Sequence, residues 1–146
     1  MKGTKRFIAV DTNGLLIRVA VLSARVQDWD GLLDLCALVR PVSPRLSAGW
    51  VDAGFAAGVA ATKEQFGWDL SVVTKPPDQV GFQVQPRRWV VERTFAWLTD
   101  CRRLTKDYEE YAESSEAFIY LAMIHLMLRR LAPDPAQRPW KSAHAA

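Results

Sequence analysis

Apolar and polar residues alternate with different periods along the chain, and each period predicts an element. "RFIAV" and "LLIRVAVLSA" are typical of β-strands, because they are rich in β-branched residues and flank Asn13-Gly14, the strongest short hairpin signal. The second strand is nearly continuously apolar, so we expect it to be buried on both faces. In "DWDGLLDLCALV" the apolar residues recur at i, i+3, i+4 and i+7, which predicts a helix.

Strands and helices continue to alternate further along the chain. "SAGWVDAGF" predicts a short strand that runs into a glycine turn, and "AAGVAATKEQFG" predicts a helix that ends at Gly67. "WDLSVVTKP" predicts a strand closed by Pro76 and Pro77, and "RRWVVERTFAWL" predicts a helix whose start is marked by Pro86. The resulting order, β-β-α-β-α-β-α-α, predicts an α/β fold in which helices cover a mixed sheet.

The last predicted helix lies in "SSEAFIYLAMIHLMLRRL", with Ser114 as its cap and Pro133 beyond its end. It is apolar nearly all round, so we expect it to be buried. The polar residues that follow resemble a frayed end. We therefore predict one domain over residues 1–132 and a flexible tail over residues 133–146.

Composition narrows the class of protein. The 146 residues fit one domain, and the net charge of +3 indicates an anionic partner, although weakly. Cys36 and Cys101 have no zinc-binding spacing, and the start of the chain lacks the apolar run of a signal peptide. The longest apolar stretch, "AFIYLAMIHLML", is shorter than the roughly 20 residues that span a bilayer. We predict a cytoplasmic protein with free thiols and no membrane partner.

Asp52 is the first candidate for chemistry. It ends the predicted strand in "WVDAGF", and open α/β sheets place their sites beyond such strand ends. A carboxylate held there on rigid backbone is suited to a hard cation such as Mg²⁺. The alternative is a plain turn residue, since Asp before Ala-Gly often starts a turn.

Glu92 is the second candidate, as the one acid within "RRWVVERTFAWL". On a helix it shares a face with Arg88 and Phe95, at the edge of the apolar stripe. One interpretation is a surface salt bridge with Arg88, worth at most about 0.3–0.5 kcal/mol. The other is a metal-binding carboxylate among guanidinium groups that hold phosphates.

The segment around Glu92 is the most basic part of the chain. Tryptophan and tyrosine residues alternate with six cations, which are Arg87, Arg88, Arg93, Arg102, Arg103 and Lys106. Such a mixture suits a nucleic-acid surface, because the cations bind phosphates and the rings stack on bases. The alternative is a solvated helix face above a tryptophan core. His125 lies on the apolar last helix and is most simply a core residue.

Four stretches together resemble the C-terminal half of bacterial insertion-sequence transposases of the DDE class, in the insertion sequence 4/5-like superfamily. They cover about residues 2–131, and they are "KRFIAVDTNGLLIRVAVLSARVQDWDG", "WVDAGF", "RRWVVERTFAWLTDCRRLTKDYE" and "SSEAFIYLAMIHLMLRRL". The resemblance implies a ribonuclease H-like fold and three carboxylates that bind two Mg²⁺ ions for phosphoryl transfer. By motif, Asp52 matches the second aspartate, Glu92 matches the glutamate, and Arg88 matches an arginine that touches DNA phosphate.

The family's first aspartate lies on a strand just upstream of the equivalent of "KGTKR", where this sequence has Met1. Asp11 does not replace it, because Asp11 belongs to a hairpin that the family also has. The resemblance therefore implies an N-terminally truncated sheet that lacks its first, central strand and a metal ligand. Neighbouring strands are then left with unpaired backbone groups.

Three functions follow from these observations. The first hypothesis is that the chain is a portion of a transposase that becomes competent only when it is completed, by frameshifted translation or by another chain. Alternatively, it is a dead remnant that is inert, or that binds DNA or full-length transposase as an inhibitor. The third hypothesis is an unrelated basic DNA-binding module. The expected partners are DNA, full-length transposase and a second copy of the chain.

Overall fold

The computed structural model describes residues 3–74 and 86–132. The predicted order of strands and helices is confirmed, and two short 3₁₀ helices are added to it. The elements are β1 (Thr4–Val10), β2 (Leu16–Ser23), α1 (Asp28–Val39), β3 (Ala48–Asp52), a 3₁₀ helix (Ala53–Gly58), α2 (Val59–Phe66), β4 (Asp69–Val73), α3 (Pro86–Thr99), a 3₁₀ helix (Arg102–Leu104) and α4 (Ala112–Leu131).

The hairpin of β1 and β2 is closed by a turn that its own aspartate organises. Asp11 Oδ1 accepts hydrogen bonds from the N–H groups of Asn13 at 2.9 Å and Leu15 at 2.8 Å. Gly14 has a φ of 79°, which a side chain disfavours. Asp11 is therefore a turn residue, as the sequence predicts.

Strand β2 forms the middle layer of the molecule. Val19 and Val21 pack beneath α3 and α4, in a core that includes Ile119. Ala20 points the other way, into a second core formed with α1 and with Phe7. All three β2 residues are buried, so the prediction that this strand is covered on both faces is confirmed.

The described strands form two sheets of two strands each, whereas the sequence predicts one mixed sheet. β1 pairs antiparallel with β2, and β3 pairs parallel with β4. The Asn13-Gly14 signal predicts the β1–β2 pairing correctly. Apolar periodicity does not specify which strand lies beside β3, so the division into two sheets was not predictable from it. The outer edge of β2 is covered by α4, because Val21 N–H donates to Glu116 Oε1 at 2.8 Å and Val19 N–H lies 3.3 Å from the Tyr120 hydroxyl.

Helix α4 departs from the prediction in two ways. It begins at Ala112 and has no side-chain cap, so Ser114 is not its cap. Its inner face buries Ile119 and Met123, whereas four large apolar residues on the helix are exposed. These are Leu121, Ile124, Leu128 and Leu131. The prediction of full burial was wrong, because β2 and α3 pack against one side of the helix.

The other local predictions have mixed outcomes. Helix α2 ends at Gly67, as expected, with the glycine in the left-handed conformation at a φ of 72°. The glycine turn after β3 is instead the first 3₁₀ helix. The Pro76-Pro77 strand end and the C-terminal tail lie outside the described residues. Over residues 3–74 and 86–132, no helix combines the length and apolarity that a membrane crossing requires.

Candidate active site

Asp52 is the last residue of β3, at the carboxyl edge of the parallel β3–β4 pair. Its Oδ1 atom accepts a hydrogen bond from the N–H of Ala53 at 2.7 Å, which orients the carboxylate at the start of the 3₁₀ helix. The side chain is about half exposed, so ions in solution can reach it. The position at a strand end is the one that the sequence predicts.

Glu92 lies on α3 and is also about half exposed. Arg88, one turn earlier, donates from Nε to Glu92 Oε1 at 3.0 Å. This is the i, i+4 ion pair that the sequence offered as the simpler interpretation of Glu92. An exposed pair of this kind adds little to stability, about 0.3–0.5 kcal/mol.

Arg88 also reaches Asp52, so that one guanidinium joins both predicted carboxylates. Its Nη2 atom lies 3.9 Å from Asp52 Oδ2, while its Nε atom holds Glu92. A strand end and a helix that are distant in sequence therefore meet at a single cation. The structure brings together the three residues that the motif comparison selects.

Trp50 is a neighbour of this site that the sequence analysis did not select. Side chains alternate along a strand, so Trp50 and Asp52 lie on the same face of β3. The indole is 49% exposed, and the Arg87 guanidinium lies 4.4 Å from its ring centroid. The alternation in "WVD" is the signal that could have found it.

The six predicted DNA-binding cations divide into separate groups. Arg87 and Arg88 lie at the start of α3, beside Asp52. Arg93 faces the hairpin instead, where it donates to Asn13 O at 2.9 Å and lies over the Trp97 ring. Arg93 thus has a structural contact that the sequence did not reveal.

The other three cations follow the end of α3. Arg103 pairs with Glu109 at 2.6 Å, and this hydrogen bond together with the Glu109 charge raises the pKa of Arg103. Arg102 is exposed, and Lys106 lines an open cleft that also contains Arg6. Helix α3 has 14 residues. Its length of about 20 Å separates these cations from the pair beside Asp52.

Comparison with known proteins decides the family. A family model described as "Transposase DDE domain" matches residues 1–127. The chain belongs to the DDE transposase family. The family match removes the hypothesis of an unrelated basic module.

The chain is also similar to a putative transposase for insertion sequence element IS402 from Burkholderia cepacia. The two are 29% identical over 126 residues, which is 82% of this chain. The matched region spans 60% of the length of that relative. No solved structure gives a significant match.

DDE transposases generally use a divalent metal ion, and the donor chemistry of this site fits such an ion. Carboxylate oxygens are the ligands that Mg²⁺ prefers. Asp52 and Glu92 already share a positive group, the Arg88 guanidinium, and both are open to solvent. Among residues 3–74 and 86–132, no third histidine, cysteine or acid joins them in a cluster.

Proposed function

We propose that this chain is the catalytic portion of an insertion-sequence transposase, which cuts and joins DNA strands by metal-dependent phosphoryl transfer. The observation that carries the proposal is the meeting of Asp52 and Glu92 at one guanidinium, in a chain that belongs to the DDE transposase family. In this proposal the two carboxylates are metal ligands.

The residues around the carboxylates have separate tasks in the proposed reaction. A divalent ion bound at this site would activate an oxygen nucleophile and offset negative charge on the phosphate. Asp52 and Glu92 are the residues that would hold it. Arg88 and Arg87 bind phosphate oxygens of the DNA strand, because a guanidinium presents two parallel N–H donors to them. Trp50 offers an exposed ring on which a base or sugar packs.

We further propose a ribonuclease H-like fold in which an additional strand lies between β1 and β3. One feature supports it: among the described strands, β1 and β3 belong to different two-stranded sheets and do not pair. Such a strand would join the sheets and end beside Asp52, where it would present a third carboxylate. Competence therefore depends on polypeptide outside residues 3–74 and 86–132.

The separation of the basic groups supports a duplex as the substrate. Arg87 and Arg88 lie in the first turn of α3, and Arg102, Arg103 and Lys106 follow its end. The intervening distance of about 20 Å corresponds to roughly six base pairs along one strand. A duplex that lies along α3 would contact both groups, with its cleavage site at Asp52.

Substitution of the two carboxylates tests the catalytic proposal. In the complete transposase polypeptide, we expect Asp52→Asn and Glu92→Gln each to reduce Mg²⁺-dependent strand transfer by more than about 100-fold, because each removes a metal ligand. The measurement is formation of joined product from labelled insertion-sequence ends. Asp69→Asn is the matched control, since Asp69 lies at the opposite end of β4 and pairs with Lys63. Full activity in either site variant would overturn the assignment.

A second candidate function is a non-catalytic binder of DNA or of full-length transposase. It is favoured by the absence of a third acid near Asp52 and Glu92 in the described part of the chain. The purified chain would then bind DNA with a steep dependence on salt and would cut it with neither Mg²⁺ nor Mn²⁺. Cleavage by the purified chain that disappears in Glu92→Gln would rule this candidate out.

A further inference from the structure

We propose that Arg88 is a switch operated by a divalent cation. In the structure its guanidinium joins Asp52 to Glu92. A divalent ion would displace the guanidinium, and the released side chain would then bind a DNA phosphate. This inference rests on the proposed function, since it concerns the same two carboxylates. It adds that Arg88 competes with the metal and does not assist its binding.

The geometry places the guanidinium on the oxygens that a metal would use. Asp52 Oδ1 is occupied by the N–H of Ala53, so Oδ2 is the atom that faces outward, and Arg88 Nη2 lies 3.9 Å from it. Glu92 Oε1 accepts from Arg88 Nε at 3.0 Å. A cation between the two carboxylates must take the space that this side chain fills.

The contacts of Arg88 are weak enough to be exchanged. The side chains of Arg88, Asp52 and Glu92 are 44%, 49% and 51% exposed, and ion pairs at such positions are largely screened by water. A divalent ion carries twice the charge and binds carboxylate oxygens directly. Arg88 has a long flexible side chain near the start of α3, so it can turn away without moving the helix.

The neighbouring arginine provides an internal reference. Arg87 has the same charge, but its guanidinium lies over the Trp50 ring and not between the carboxylates. An effect of net positive charge on metal binding would appear for both arginines. A competitive effect belongs to Arg88 alone.

The sign of one measurement separates competition from support. If Arg88 only held the carboxylates in position, its removal would weaken metal binding. If it competes, its removal leaves two uncompensated carboxylates and strengthens metal binding. Loss of a single charge about 4 Å from a divalent ion corresponds to roughly thirtyfold in affinity at the dielectric of water.

The first experiment is Mn²⁺ binding to the complete transposase polypeptide without DNA, followed by the electron paramagnetic resonance signal of free Mn²⁺. We expect Arg88→Met to bind Mn²⁺ about thirtyfold more tightly than the wild type. Arg87→Met, the matched control, should remain close to the wild type. Asp52→Asn should abolish Mn²⁺ binding both in the wild type and in Arg88→Met. Circular dichroism would confirm that each variant is folded.

The outcomes distinguish this inference from the proposed function. Weaker or unchanged Mn²⁺ binding by Arg88→Met, with binding still lost in Asp52→Asn, would overturn the switch and leave the metal site intact. Equal tightening by Arg87→Met and Arg88→Met would overturn it as well, because the effect would then be general charge. Failure of every variant to bind Mn²⁺ would overturn both proposals.

A second experiment follows the released guanidinium onto DNA. Ca²⁺ replaces Mg²⁺ so that binding is measured without cleavage, and the affinity for duplex DNA is determined as a function of salt. The quantity compared is the slope of the logarithm of DNA affinity against the logarithm of salt concentration. Addition of Ca²⁺ should steepen this slope by about 0.9 more in the wild type than in Arg88→Met, which is the value for one added phosphate contact. Equal slopes would show that Arg88 does not move to the phosphate.

Discussion

At the scale of single residues, burial determines the protonation state of Cys36, which lies outside the candidate active site. Cys36 lies on α1, and its thiol is buried in the core. Removal from water raises its pKa from 9.0 to about 11, against a smaller opposite effect of a hydrogen bond with Thr62. In the folded protein Cys36 is therefore a neutral thiol at every physiological pH. Its position in "LLDLCALV" indicates burial, but not the size of the shift.

Cys36 predicts a fall in stability at alkaline pH. Between pH 9 and pH 11 the unfolded thiol loses its proton while the folded thiol keeps it, so deprotonation favours the unfolded chain. The contribution of the protonated Cys36 thiol to the free energy of unfolding is fully present below pH 9 and is lost toward pH 11. The difference is about 2–3 kcal/mol. Urea unfolding at pH 8 and pH 10.5 measures it. Cys36→Ala is the control, and an equal fall in that variant would assign the effect to other groups.

At the scale of elements, the hairpin turn is fixed by α3 and not by its own sequence alone. The Thr94 hydroxyl is fully buried and lies 2.7 Å from Gly14 O, while Arg93 donates to Asn13 O. A Cβ atom on Gly14 would lie 2.8 Å from Thr94 Oγ1. The turn and the helix that carries Glu92 are thus one packed unit.

A comparison of Gly14 with Gly67, which follows α2, separates the effect of packing from that of backbone strain. Gly14 and Gly67 both have a positive φ, but nothing lies within 4 Å of a Cβ atom on Gly67. We expect Gly67→Ala to cost about 1–2 kcal/mol, the left-handed penalty alone. Gly14→Ala should cost at least 1 kcal/mol more than that, roughly, because Thr94 and Trp97 must also move. Urea unfolding of both variants measures the difference, and equal costs would contradict the packed turn.

The sequence predicted the elements better than their assembly. The order of strands and helices was correct because period and turn residues are local signals. The division into two sheets and the one-sided packing of α4 depend on partners that no local pattern specifies. At the site, the motif led to Asp52, Glu92 and Arg88, whereas Trp50 and the hairpin contact of Arg93 emerged only when the chain was folded.

At the scale of the whole molecule, the cores are asymmetric. β2 is covered by α1 on one side and by α3 and α4 on the other, whereas α4 turns apolar residues to solvent. Ile119 is fully buried, and Leu128 is 58% exposed. Two apolar side chains on the same helix should therefore contribute very differently to stability.

Alanine substitutions on α4 test which face is covered in solution. We expect Ile119→Ala to cost about 2–5 kcal/mol, since it leaves a cavity in the core. Leu128→Ala should cost less than about 1 kcal/mol, because little of its surface leaves water on folding. Both values come from urea unfolding. A cost for Leu128→Ala close to that for Ile119→Ala would show that another surface covers this face of the helix.

The division of the strands into two sheets has a consequence for the polypeptide after synthesis. The outer edge of β2 is closed by Glu116 and Tyr120, and β1 carries the cations Lys5 and Arg6 along its length. β3 has its single charge at its end, in "AGWVD", and charges along an edge are what discourage strand addition by other chains. β4 likewise has its single charge at its start, in "DLSVV", so the β3–β4 pair is less protected against strand addition than the hairpin. The yield of newly made protein in the cell therefore depends on how soon these edges are covered.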